Sequence, residues 1–140
     1  MNIAVRFMSN KIPKAQKLKS STKIQFLFNK GKSIFNYPVK MQYIIQPDSD
    51  EKNGLQFGVS VSKKYFKKAV DRNELKRKMR EGFRLHKETL ENYLPGSEKN
   101  LTIMFLYVGK NKLEQSEISD SIIILIKKLH KKLTDSISIS

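Results

Sequence analysis

The residues with the densest chemistry in this chain are cationic. Between Lys63 and Lys87 the stretch KKYFKKAVDRNELKRKMREGFRLHK holds eleven Lys or Arg against three acids, Asp71, Glu74 and Glu81, a net of +8. Read as a helix from about Lys68 to Leu90, it places Asn73, Arg77, Arg80, Arg84 and Lys87 at spacings of 4, 3, 4 and 3, flanked by Arg72 and Lys76. That is a ridge about 20 Å long at ~1.5 Å rise per residue. Like charges at these spacings repel, so helix formation does not explain them. Arginine holds phosphate bidentately, and Arg72, Arg77, Arg80 and Arg84 make this ridge rich in it. Asn73 adds directional hydrogen bonding to a base edge or a phosphate. The competing reading is a solvated helix face, and there are not enough acids at i±4 to neutralise the ridge, which weighs against it.

Two smaller groups have chemistry of their own. Ser60, Ser62, Lys63 and Lys64 form a small, polar corner where a strand feeds a helix, a place to offer N–H and hydroxyl groups to phosphate. Ordinary strand-to-helix turn chemistry accounts for it equally well. Phe28, Phe35, Tyr37 and Tyr43 cluster near the first helix and a hairpin. Core packing explains most of them, and stacking of unpaired bases is the alternative. Side-chain catalysis finds little support. Asp48, Asp50 and Glu51 fall in a polar turn, His86 and His130 match no metal spacing, cysteine is absent, and no glycine-rich phosphate loop occurs. No catalytic or metal-binding residue is assigned.

These groups need elements to hold them. At 140 residues the chain predicts one domain with a sizeable core. A first helix follows a cap at Ser20 or Ser21, buries Ile24, Leu27 and Phe28 on one face, and stops at Gly31 in a left-handed C′ position. A short strand, a turn at Asn36-Tyr37-Pro38 and a longer strand alternating Val39, Met41, Tyr43 and Ile45 come next. In 55-LQFGVSVSK-63, Leu55, Phe57, Val59 and Val61 alternate with the small, polar Gln56, Gly58, Ser60 and Ser62. The basic helix buries Val70, Leu75, Met79, Phe83 and Leu90. The run 101-LTIMFLYVG-109 reads as a strand covered on both faces. A last helix, about Glu114–Leu133, buries Ile118, Ile122, Leu125, Ile126 and Leu129. The order is α-β-β-β-α-β-α, an α+β sandwich of helices on a small mixed sheet. The basic helix is the crossover if its flanking strands are parallel. Residues 1–14 form a flexible basic arm, 15–134 the domain and 135–140 a loose tail.

The whole chain carries a net charge of +15 and a pI near 10.0. Such a field attracts polyanions, nucleic acid first and an anionic membrane second. A narrow apolar stripe suits a domain core better than a membrane surface. No signal-like or transmembrane run is evident, so a cytoplasmic location is expected.

The stretches 58-GVSVSKK-64, 69-AVDRNELKRKMREGFRL-85 and 26-FLFNKGKS-33 resemble the bacterial ribonuclease P protein family over roughly residues 15–134. The resemblance implies a ribosomal S5 domain 2-like fold with a left-handed crossover through the basic helix. It implies that Lys63, Lys64, Arg72, Asn73, Lys76, Arg77 and Arg80 contact a catalytic RNA, and the ridge adds Lys68 and Arg84. A cleft between the first helix and the sheet would hold the 5′ leader of precursor tRNA, with Ile24, Phe28, Tyr43, Ser60 and Ser62 as candidates. Glu74 departs from the family's Arg-Asn-Arg segment, and Ile24 stands where an aromatic is common. The family's strand aromatic aligns near Gln42, with Tyr43 on the opposite face.

On this reading the chain is the protein subunit of an endoribonuclease whose RNA performs Mg²⁺-assisted hydrolysis. It binds no cofactor itself and sits as a monomer in a 1:1 ribonucleoprotein. Two other classes stay open: an RNA-binding protein with no part in catalysis, and a nuclease using Asp48, Asp50 or Glu51. DNA binding is disfavoured because no helix-turn-helix partner accompanies the basic helix.

Overall fold

In the computed structural model of the chain, described for residues 21–47, 55–88 and 99–139, the expected element order holds. Helix α1 spans Ser21–Lys30, and strands β1 (Lys32–Asn36), β2 (Val39–Pro47) and β3 (Leu55–Val61) follow. Helix α2 (Ala69–His86), strand β4 (Lys99–Tyr107) and helix α3 (Gln115–Ile139) complete it. The four strands form one sheet in the order β1-β2-β4-β3. β1 and β4 each pair antiparallel with β2, and β3 pairs parallel with β4. A parallel pair needs a crossover, and α2 is that crossover.

Period-2 alternation divides the sheet into two unequal faces. One face, with Met41, Tyr43, Phe57, Ile103, Phe105 and Tyr107, is covered by α2 and α3. Leu75, Met79 and Phe83 of α2 and Ile118, Ile122, Leu125, Ile126 and Leu129 of α3 are buried against it. Phe83 lies between Phe57 and Phe105, with ring centroids 4.2 and 5.4 Å away. Gly82 brings the two helices close, because a Cβ there would meet the Ser119 Cα at 3.2 Å.

Among the described residues the other face is covered only by α1, which seats Leu27 on Met104 with Ile44 and Leu106. Its rows run Lys40–Leu106–Ser60, Gln42–Met104–Gly58 and Ile44–Thr102–Gln56 across β2, β4 and β3. Beyond the reach of Leu27, the β3 positions offer only small or polar groups. β4 is thus packed on both faces, as its unbroken apolar run requires.

Several expectations change. Val70 is 74% exposed. At about 100° per residue, the five residues to Leu75 carry it roughly 140° off the buried stripe. Helix α2 ends at His86, and Lys87 is its C-cap, 2% exposed. The ridge therefore stops at Arg84, roughly 16 Å from Asn73 at ~1.5 Å per residue. Leu90 lies outside the described residues, as do residues 1–20, Asp48, Asp50 and Glu51.

Gly31 is not left-handed. It donates its N–H to the Leu27 carbonyl at 2.7 Å, and a Cβ would collide with that oxygen and lie 2.9 Å from the Tyr43 carbonyl oxygen. Close approach, not backbone sign, demands glycine. The last helix does not stop near Leu133 but continues to Ile139, where a loose tail was expected. No Gly or Pro follows Gly109 to end it.

Candidate nucleic-acid interface

Helix geometry sorts the charges of α2. At about 100° per residue, Asn73, Arg77, Arg80 and Arg84 all fall within about 40° of the point opposite Leu75. Asp71, Glu74 and Glu81 lie together on one flank, about 40–120° from Leu75 on the side of Lys78. That flank faces α3 and the loop before it. Lys112 donates to Asp71 at 3.0 Å and to Glu74 at 3.1 Å. Lys78 lies 3.5 Å from Glu74 and donates to the Leu113 carbonyl at 3.1 Å, while Gln115 donates to the Lys78 carbonyl at 2.9 Å. The Lys112 hydrogen bond, with the charges of Lys112 and Lys78, holds the Glu74 carboxyl below the ordinary carboxylate range. Glu74 therefore subtracts nothing from the ridge; it fastens α2 to the loop ahead of α3.

The cations divide accordingly. Lys63, Lys64, Lys68, Asn73, Arg77 and Arg80 are exposed, and their charged members form no ion pair among the described residues. Lys76 is half-buried on the ridge's other flank. Arg72 serves the fold, because its Nη1 donates to the carbonyls of Phe66 at 2.9 Å and Lys67 at 2.8 Å. It grips the turn that presents Lys63 and Lys64. Arg84 donates through Nε to Glu81 at 3.1 Å, and this hydrogen bond draws the Glu81 carboxyl downward. The ridge proper is therefore Asn73, Arg77 and Arg80, continued by the lysines of the 62–68 turn.

The corner of Ser62, Lys63 and Lys64 closes in turn fashion, the Lys64 N–H donating to Ser62 Oγ at 3.0 Å. Ser60 lies on the face crossed by α1, half-buried on edge strand β3. Phe28 is 44% exposed beside that face. Tyr43 is not part of it. Alternation points Tyr43 into the core with Met41, and burial raises its phenol pKa. Gln42 takes the open-face position, and its Oε1 is buried without a hydrogen-bond partner among the described residues. The side chain of Ile24 lies outside the described residues.

Phe35 belongs to the open face rather than to the core. It pairs with Lys40 on the open face and is 55% exposed on edge strand β1. Its place opposite Lys40, one residue after the buried Ile34, was the available signal. Tyr37 is exposed as well, so among these four aromatics only Tyr43 serves the core.

An exposed cationic ridge, a gripped lysine turn and an open polar sheet face make a surface whose chemistry suits a polyanion. The ribonuclease P family matches residues 12–130. The chain belongs to the bacterial ribonuclease P protein family. The ribonuclease P protein component of Staphylococcus haemolyticus is 38% identical over 77 residues, 55% of this chain and 63% of that protein. That of Porphyromonas gingivalis is 33% identical over 98 residues, covering 70% of this chain and 71% of that protein. The solved ribonuclease P protein of Staphylococcus aureus superposes with a TM-score of 0.63 at 26% identity, over 83% of this chain and 96% of that one. The ribonuclease P resemblance is thus confirmed over most of the chain, and with it the α+β fold.

Proposed function

We propose that this chain binds the catalytic RNA of ribonuclease P and the 5′ leader of precursor tRNA, and so assists endonucleolytic release of the mature 5′ end. One observation carries the reading: in a member of this family, Arg77 and Arg80, exposed cations of α2 with no ion pair among the described residues, lie on the side away from the core. Arg77, Arg80 and the lysines of the 62–68 turn would meet phosphates of the catalytic RNA. Asn73 would fix the register by hydrogen bonds that charge alone cannot supply. The face crossed by α1, with Phe28, Phe35, Ser60 and Gly58, would take the leader.

The described carboxylates nearest the ridge, Asp71, Glu74 and Glu81, are each paired to a cation. Mg²⁺ would therefore sit with the RNA and supply the hydrolytic chemistry there. The protein's part would be to screen phosphate repulsion and hold the substrate strand. No described helix is long and apolar enough to cross a membrane, and the reading places the protein with its RNA in the cytoplasm, one copy per particle.

Cleavage of precursor tRNA at low Mg²⁺ tests this, using the protein, the catalytic RNA from the same cell, and both together. The expected result is efficient cleavage only with both. Binding without stimulation would demote the chain to a general RNA-binding protein. Cleavage by protein alone would move the chemistry onto its side chains.

A further inference from the structure

The turn between β3 and α2 presents an aromatic ring that the fold does not use. Tyr65 is 42% exposed, whereas its neighbour Phe66 is buried and meets the Tyr107 ring edge-on at 5.7 Å. Phe66 anchors the turn from below, and Arg72 grips the Phe66 and Lys67 carbonyls from the side. A second loop is pinned alongside. Tyr107 donates to the Asn111 carbonyl and accepts from the Leu113 N–H at 3.1 Å, and Lys112 is held by Asp71 and Glu74.

Between these two fixed loops the Tyr65 ring has the Lys64 ammonium 5.4 Å from its centroid and the Lys110 ammonium at 5.6 Å. Lys63, Lys67 and Lys68 are exposed in the same turn. An exposed aromatic held on a rigid turn among cations is what unpaired nucleotides stack on, because every base has a π-face and carries a phosphate beside it.

We infer that Tyr65 is a stacking platform for an unpaired nucleobase of RNA, separate from the leader cleft on the sheet face. A base settling on the ring displaces one lysine from above it, and the released ammonium meets the phosphate of the same nucleotide. The inference rests on the RNA-docking reading of this surface and names the part of the RNA it takes: an unstacked nucleotide, not duplex.

The test is binding of the full chain to a fluorescein-labelled single-stranded oligoadenylate and to a hairpin duplex of equal length, across a range of salt. Tyr65→Ala should weaken oligoadenylate binding on the order of tenfold, with the slope of log K against log salt unchanged and duplex binding unaffected. Tyr65→Phe should bind as the parent, and Tyr65→Leu as the alanine variant. Because the ring is exposed, all three should unfold at the parent's temperature. Parent-like binding by Tyr65→Ala overturns the inference, as does rescue by leucine. So does an affinity loss matched by a shallower salt slope, which would make the ring a prop for its lysines. If the parent binds no RNA, the docking reading fails too; if the parent binds and stimulates cleavage while Tyr65→Ala is silent, only this inference fails.

Discussion

On the side of α2 that meets α3, Asp71 and Glu74 hold Lys112, and Lys78 divides itself between Glu74 and the Leu113 carbonyl. On the opposite side, Arg77 and Arg80 stand exposed beside Asn73 with no ion pair among the described residues. The two sides share one helix and similar residue types. They differ in whether the charges reach another element: on the outward side the ion pair among the described residues is that of Arg84 with Glu81 of the same helix. A charge with a partner joins elements of the fold; a row of charges without partners repels itself and gains only when a polyanion arrives. Composition cannot make this distinction, because Arg72 and Arg80 look alike until the Phe66 and Lys67 carbonyls are found at Arg72.

The largest effect should come from removing what holds both sides in place. Phe83→Ala empties the space between Phe57 and Phe105 and should cost about 3–5 kcal/mol in urea unfolding. A loss below about 1 kcal/mol would mean α2 is not anchored there.

Arg72→Ala and Arg80→Ala sharpen the contrast between the sides. The first strips two carbonyls of their donor and should destabilise by about 1 kcal/mol. The second should leave thermal unfolding within about 0.5 kcal/mol of the parent. Equal effects would erase the distinction between gripping and docking arginines.

The smallest effect belongs to the Lys112 clasp. Its carboxylate partner Glu74 has a folded pKa below the ordinary value, so the clasp is fully present above the ordinary carboxylate range. It is lost as pH falls through the lowered value. The Lys112 side chain is 42% exposed and that of Glu74 34%, so solvent screens the pair. An NMR titration should show Glu74 protonating at lower pH than an ordinary glutamate, and at higher pH in Lys112→Ala than in the parent. An unmoved titration would remove Lys112 as the cause.

Much of the fold was legible because alternation and helical periodicity are local. Met41 and Phe57, or Ile118 and Ile122, declare their face by spacing alone, and the element order followed from them. The errors arose where position depends on the rest of the chain. Val70 is apolar but rotated off the stripe. Gly31 is required by the Leu27 carbonyl of its own helix and by the Tyr43 carbonyl of a separate strand, and only the first of these is local. The ridge was legible as a ridge, but its membership was not. Glu74 looked like a flaw in an Arg-Asn-Arg segment, and only the approach of Lys112, 38 residues on, shows where its charge is spent. Tyr43 was a leader-cleft candidate although alternation already placed it on the core face. Phe35, at the same ladder as Lys40, was the aromatic that alternation favoured.

The central claim is that charges without a protein partner dock RNA and partnered charges do not. The most direct test is the salt dependence of binding to the catalytic RNA for the parent, for Arg77→Ala with Arg80→Ala, and for Lys112→Ala. Each neutralised phosphate contributes roughly 0.7–0.9 to the slope of log K against log salt. The slope should become shallower by about one per arginine removed, and Lys112→Ala should keep the parent's slope. An unchanged slope in the arginine variant, or an equal loss on removing Lys112, would contradict the claim.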